Sequence, residues 1–253
     1  YRILERVIHQ KEINAFLART RDCAGCEFVQ AALEFLSVRL EYSHLERLPD
    51  TPLILVCSNH PTGGIEGLAL MDLLCSRYGS VQTPANDLLL TLPGLKDLLV
   101  PVDKYGSNRG RFKEYQHMYL TPHPILIFPA GRTARPAGRH LREFPWNRTF
   151  IRYSRTHGRV VVPVHVSGRN SPLFYLIWRI RRALGINTNL ELFLLVDELF
   201  RKRGRTVWIT IGEPYKVDDS LRAPVWLALL RRAATRPPLA TVTREGLGGR
   251  HPT

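Results

Sequence analysis

Four short runs constrain this chain more than anything else in it. They are TPLILVCS at 51–58, HPILIFPAGR at 123–132, RVVVPVHVSG at 159–168 and RTVWITIGEP at 205–214, apolar and largely β-branched through their centres. A strand that shows apolar residues to both sides must be covered on both faces, as strands of a parallel or mixed sheet are. Between the runs lie segments with apolar residues every three or four positions, the period of an amphipathic helix. Those are GLALMDLLCSRYG from Gly67, RGRFKEYQHMYL from Arg109, WNRTFIRYSRTHG from Trp146, SPLFYLIWRIRRALG from Ser171, LELFLLVDELFRKRG from Leu190 and LRAPVWLALLRRAA from Leu221. Shorter strands are expected near VQTPA at 81–85 and LLVPV at 98–102. Strands alternating with helices predict one α/β domain whose mixed, mostly parallel sheet has helices on both faces.

Two further helical patterns, ILERVIHQKEINAFLART at 3–20 and FVQAALEFLSVRLEY at 28–42, predict N-terminal helices. The expected organisation is a helical segment over 1–50 packed on a core of 51–234, with 235–253 a disordered tail rich in Pro and Gly. The chain shows no internal repeat. At 253 residues it can bury a substantial core as one large domain.

The stretch CSNHPTGGIEG at 57–67 carries the first chemistry. Pro61, Gly63 and Gly64 break the strand into a loop, so His60 falls at the carboxyl end of a strand and Glu66 near the start of a helix. That edge is where open α/β sheets place ligands. A carboxylate that fixes the tautomer of a histidine makes it a general base toward a hydroxyl or amine, although a structural histidine at a strand end would have the same spacing. Two other strand ends are polar, Asp103 to Asn108 and Arg132 to Arg139. FPAGRTARPAGRH places Arg132, Arg135 and Arg139 beside backbone made approachable by Gly131, which suits phosphate or carboxylate, or is simply a solvated basic loop. No nucleophile elbow, Walker loop or G-x-G-x-x-G is present, which argues against an acyl-enzyme and against a nucleotide cofactor.

Charge narrows the partners. Thirty-six Lys and Arg against 22 Asp and Glu leave +14, which points to an anionic partner. No helix-turn-helix, RNP-like strand or zinc-finger spacing accompanies the charge, so nucleic acid is not expected. Cys23, Cys26, Cys57 and Cys75 complete no zinc set, and are expected as structural or incidental thiols in a reducing compartment. No signal-type segment is present, and no apolar run approaches the ~20 residues that span a bilayer. Membrane contact is therefore expected to be peripheral, at the cytoplasmic face. SPLFYLIWRIRRALG, with aliphatic and aromatic residues flanked by arginines, reads equally as a core helix with a basic rim and as an interfacial helix on anionic lipid.

The set NHPTGGIEG from Asn59, LLVPVDK from Leu98, IFPAGRTAR from Ile127 and VVPVHVSGRNS from Val161 resembles the glycerolipid and lysophospholipid acyltransferase family. It resembles more closely that family's hemolysin-like branch, which includes acyltransferases making ornithine- and glycine-type aminolipids. The motifs occur in family order, and RGRTVWITIGEP from Arg203 adds to them. The resemblance implies that His60 is the base and Glu66 its partner. The acceptor hydroxyl would attack the thioester of acyl-carrier protein or acyl-CoA directly, with no covalent enzyme intermediate. It implies a lyso-lipid acceptor, an anionic membrane surface, no cofactor and no metal. Asn59, Gly63, Gly64, Lys104, Gly131, Arg132 and Arg135 become the candidates for substrate binding. The chain departs from the family in Glu66, where the branch has aspartate, and in Ala130 and Arg132, where the motifs F-P-E-G and F-P-A-G-E carry glutamate. A homologue that binds lipid or acyl-carrier protein without catalysis is the alternative those departures leave.

Overall fold

The computed structural model describes residues 5, 8–85, 87–102, 109–138, 140–186 and 190–236. The order along the chain begins with α1 (Gln10–Arg19), α2 (Cys26–Phe35), β1 (Arg39–Ser43), β2 (Ile54–Ser58) and α3 (Ile65–Tyr78). It continues through β3 (Thr83–Ala85), α4 (Asp87–Leu90), β4 (Leu99–Pro101), α5 (Arg109–His117), β5 (Ile125–Ile127), β6 (Arg135–Ala137) and β7 (His140–Arg142). It ends with α6 (Thr149–Thr156), β8 (Val160–Val166), α7 (Pro172–Ala183), α8 (Leu195–Phe200), β9 (Thr206–Ile211), β10 (Tyr215–Lys216) and α9 (Ala223–Thr235).

The main sheet has the order β1-β9-β8-β2-β5, with β10 also on β8. β2 runs parallel to β5 and β8, β1 runs parallel to β9, and the two blocks meet at the antiparallel β8–β9 pair. The α/β architecture with a mixed, mostly parallel sheet is therefore the one expected. Side chains of β2 alternate between two cores. Ile54 and Val56 join Phe28, Val29, Leu70 and Leu74 from α2 and α3. Leu55 and Cys57 join Phe150 from α6, Trp226 and Leu230 from α9, and Tyr119. All five residues of β2 are buried, which is why the run is apolar from Ile54 to Cys57. Arg159 closes the lower end of the sheet: fully buried, it donates to the carbonyls of Ile54, Met118, Tyr119, Thr121 and His123.

Four expectations are corrected. The second N-terminal helix stops at Phe35; Ser37 takes φ +50°, and Arg39–Ser43 becomes an edge strand on β9. The basic loop after Gly131 contains a hairpin, β6 paired antiparallel with β7. The single helix expected from Leu190 is a 3-10 turn, Leu190–Leu194, followed by the short α8. Finally, Cys26 and Cys75 form a disulfide between α2 and α3, with Cα atoms 5.7 Å apart, while Cys23 and Cys57 are free. That bond corrects the expectation of thiols throughout. Asp103 to Asn108, with Lys104 among them, Arg139, and the expected tail from residue 237 lie outside the described residues.

Candidate active site

The register of the central strands builds the site. Cys57 pairs with Ile127 and Ser58 with Val164, so β2, β5 and β8 end side by side and their following loops converge. Asn59 ties this edge together. Its Oδ1 accepts from Val166 N–H at 2.7 Å, and its Nδ2 donates to the Val166 carbonyl at 2.9 Å. The amide thus extends the β2–β8 ladder by one residue and turns the chain so that His60 leaves the sheet. Both ends of the Asn59 amide are committed to Val166, so its part is to position the loop.

His60 stacks on Phe128, which leaves β5, with ring centroids 4.5 Å apart. Its Nδ1 lies 3.0 Å from Glu66 Oε1, bent away from the straight line a hydrogen bond prefers. Glu66 is wholly buried in the first turn of α3, where the helix dipole favours a carboxylate. It accepts from the N–H groups of Thr62 (2.8 Å), Gly63 (2.7 Å) and Gly64 (3.2 Å), and from the Thr62 hydroxyl. Burial on its own would raise this carboxyl. The adjacent imidazole of His60 and its charge, with the donors of Gly63 and Thr62, outweigh that and hold it at about 2. Glu66 is therefore a fixed anion at neutral pH, and it reaches His60 despite the extra methylene relative to aspartate.

The glycines have a packing reason. Gly63 takes φ +95°, and a Cβ there would stand 2.5 Å from Thr133 Cγ2 and 3.0 Å from Leu195 Cδ2. The room it leaves is used by those side chains. At Gly64, the residue before α3, a Cβ would stand 3.4 Å from Leu199 Cδ1, an ordinary contact. Gly131 has φ +59° with open space around it and donates to the Phe128 carbonyl at 2.9 Å, closing the turn after β5.

The two described arginines of the motif have different fates. Arg132 is exposed, its guanidinium 5.5 Å from the Phe144 ring centroid, and remains available to an anion. Arg135 is buried and lies 3.1 Å from Glu191 Oε1, and Arg181 lies on the other oxygen of the same carboxylate at 2.8 Å. The guanidinium expected to meet an anionic head group is already held by a buried glutamate. Its place is to brace α7 and the Leu190–Leu194 turn against the hairpin.

One residue was not foreseen. Glu143, just after β7, accepts from the His60 backbone N–H at 2.7 Å and from Trp146 Nε1 at 2.8 Å. Burial pushes its carboxyl up, against those two donors and the charges of His60 and Arg231. His60 is thus held at both ends, backbone by one carboxylate and ring by another. Among the described residues no group of three or more His, Cys, Asp or Glu could hold a metal ion. The arrangement can take a proton onto the histidine nitrogen facing away from Glu66 and stabilise the resulting imidazolium.

Comparison with known proteins gives the family and the fold. The sequence model of the acyltransferase family matches residues 1–228. A lyso-glycine lipid O-acyltransferase of Phocaeicola vulgatus is 37% identical over 225 residues, covering 87% of this chain and 81% of that one. Its namesake from Bacteroides thetaiotaomicron is 39% identical over 225 residues, 87% of this chain and 83% of that one. In fold, the chain is similar to the crystal structure of the 1-acyl-sn-glycerophosphate acyltransferase PlsC from Thermotoga maritima. There the TM-score is 0.53 at 14% identity, over 83% of this chain and 75% of that one.

Proposed function

The chain belongs to the acyltransferase family and is an acyltransferase, and from that premise we propose that it moves a fatty acyl group from a thioester to the hydroxyl of a lyso-lipid. The acceptor class follows the lyso-glycine lipid named for both relatives. His60 takes the hydroxyl proton on Nε2 while the alkoxide-like oxygen attacks the thioester carbonyl. Collapse of the tetrahedral intermediate expels the thiolate, which receives the proton from His60 and leaves as free thiol. The observation that carries this reading is the His60 Nδ1–Glu66 Oε1 approach of 3.0 Å at the convergence of three strand ends. A buried carboxylate in that position sets the tautomer that leaves Nε2 as the acceptor.

Arg132, and Lys104 from outside the described residues, are the cations we assign to the acceptor's anionic head group. The donor is acyl-carrier protein or acyl-CoA, and the +14 charge suits either, since both donors are anionic. Among the described residues no helix is long and apolar enough to cross a membrane. A lipid acceptor then places the reaction at a membrane surface.

The test is thiol release from acyl-carrier protein and from acyl-CoA, with a panel of lyso-lipids that includes lyso-glycine lipid. Release should require an acceptor and fall on the order of 10²–10⁴-fold in His60→Ala. If no acceptor supports His60-dependent release, a lipid- or carrier-binding protein replaces the transferase reading.

A further inference from the structure

Helix α7 is built inside out for a helix bathed in water. Its inner face buries Phe174 and Tyr175. Its start is capped by Ser171, whose backbone N–H donates to the buried Glu198 at 2.8 Å. Arg181 and Glu191 pin its far end. The opposite face should be charged. Instead Leu173, Leu176 and Ile180, with Leu184 just past the helix end, are 47%, 51%, 50% and 68% exposed. Spacings of three, four and four put them in one stripe. Phe193, on the 3-10 turn that packs beside α7, extends the apolar surface at 58% exposure. Arg179 and Arg182 are exposed alongside, the Arg182 guanidinium 5.9 Å from the Trp178 ring. Among the described residues nothing covers the stripe.

We propose that this face of α7 is the surface on which the enzyme rests on an anionic lipid bilayer. Leu173, Leu176, Ile180 and Leu184 enter the acyl boundary, and Arg179 and Arg182 meet the head groups. The choice of partner follows from charge and polarity together. An acidic protein would satisfy the arginines but leave four aliphatic side chains against a polar surface; an anionic interface satisfies both. Placement supports it too. Asn170, immediately before the cap residue, donates through Nδ2 to the Thr62 carbonyl at 3.0 Å, so the start of α7 and the loop that carries His60 are joined. A bilayer under α7 would meet the chain on the helix whose start is hydrogen-bonded to the loop that carries the candidate base. The proposal rests on the lyso-lipid reading for its purpose, but its test does not depend on turnover.

The full chain is sedimented with phosphatidylcholine vesicles, with and without phosphatidylglycerol, and melting is followed for every variant. Wild type should bind the anionic vesicles more tightly than the neutral ones. Leu176→Asp/Ile180→Asp should lose roughly tenfold or more of that affinity. It should keep thiol release with a monomeric short-chain acceptor and lose it with acceptor embedded in vesicles. Arg179→Glu/Arg182→Glu should lose the preference for anionic lipid. If the aspartate pair fails to fold, Leu176→Ser/Ile180→Ser gives the same reading in milder form. Variants that sediment like wild type overturn the proposal. So does a stripe variant that keeps vesicle binding but loses release from acyl-carrier protein alone, which would make the face a carrier dock. Stripe-dependent binding by a protein with no thiol release would sustain the membrane face and sink the transferase.

Discussion

Glu66 couples the candidate site to folding, and replacing it with glutamine separates the two. Its carboxyl stands at about 2 in the folded protein against an ordinary 4.5. A depressed carboxylate stabilises the fold above its unfolded value, and that contribution disappears as pH falls toward the folded one. That lowering corresponds to about 3 kcal/mol, fully present at pH 7. About 2 kcal/mol of it is gone by pH 3. With a urea slope of about 2–3 kcal/mol/M for a chain this size, wild type should lose roughly 1 M in midpoint through this group alone. Glu66→Gln cannot titrate. Its amide oxygen serves some of the donors from Thr62, Gly63 and Gly64, but its NH₂ must face another N–H, so it starts about 3 kcal/mol less stable at pH 7. The assay is urea unfolding of both proteins from pH 7 to pH 3. The wild-type advantage should shrink toward low pH while the remaining carboxylates titrate alike in both. Parallel curves would mean that Glu66 is not a buried anion, and the argument for a fixed His60 tautomer would go with it.

Three other perturbations test parts of the same framework. Gly63→Ala places a Cβ against Thr133 in a left-handed backbone position and should cost about 3 kcal/mol, with loss of turnover. Arg159→Met strips donors from five carbonyls, three of them buried, and should cost about 3 kcal/mol, seen as a melting point lower by about 6–12 °C; a shift below 2 °C would contradict the structural role. Reducing Cys26–Cys75 opens a loop with a sequence separation of 49, and should lower stability by about 4 kcal/mol in urea unfolding with and without reductant. Equal midpoints would show that the bond does not form in solution.

The sheet was legible wherever burial was two-sided. β2, β5 and β8 are apolar on both faces because helices cover both, and the Pro and Gly residues that follow mark where each one ends. β1 escaped because an edge strand alternates. Val38, Leu40 and Tyr42 face inward, while Leu33, Leu36 and Leu40 also fit a helical spacing. The turn that decides between the two is made by Ser37 at positive φ, and no glycine there announces it. The β6–β7 hairpin escaped for a related reason: its residues, RPA and HLR, carry too little apolar alternation to separate a short exposed hairpin from a basic loop.

The site divides along sequence distance. His60 and Glu66 could be paired in advance because a six-residue loop with two glycines can bring only nearby groups together. Arg135 and Glu143 could not be placed that way, since their meanings depend on residues 56 and 83 positions away. For Arg135 the signal was misleading. A basic loop after a strand suits an anion, but a cation that packs under a helix is held by protein, and Glu191 is the acid that holds it. For Glu143 the sequence gives no spacing to read, yet the structure gives it the His60 backbone N–H. The family motif has a glutamate where this chain has Ala130, and a carboxylate reaches the loop here from the far side of the hairpin instead. If Glu143 holds the loop through its oxygen, Glu143→Gln keeps that acceptor for the His60 N–H, turns its NH₂ toward Trp146 Nε1–H at some cost in stability, and should retain most turnover. Glu143→Ala leaves the His60 N–H unpaired, and turnover should fall while acceptor affinity, set elsewhere, stays the same. Equal loss in both variants would show that the charge of Glu143 acts on the imidazolium directly.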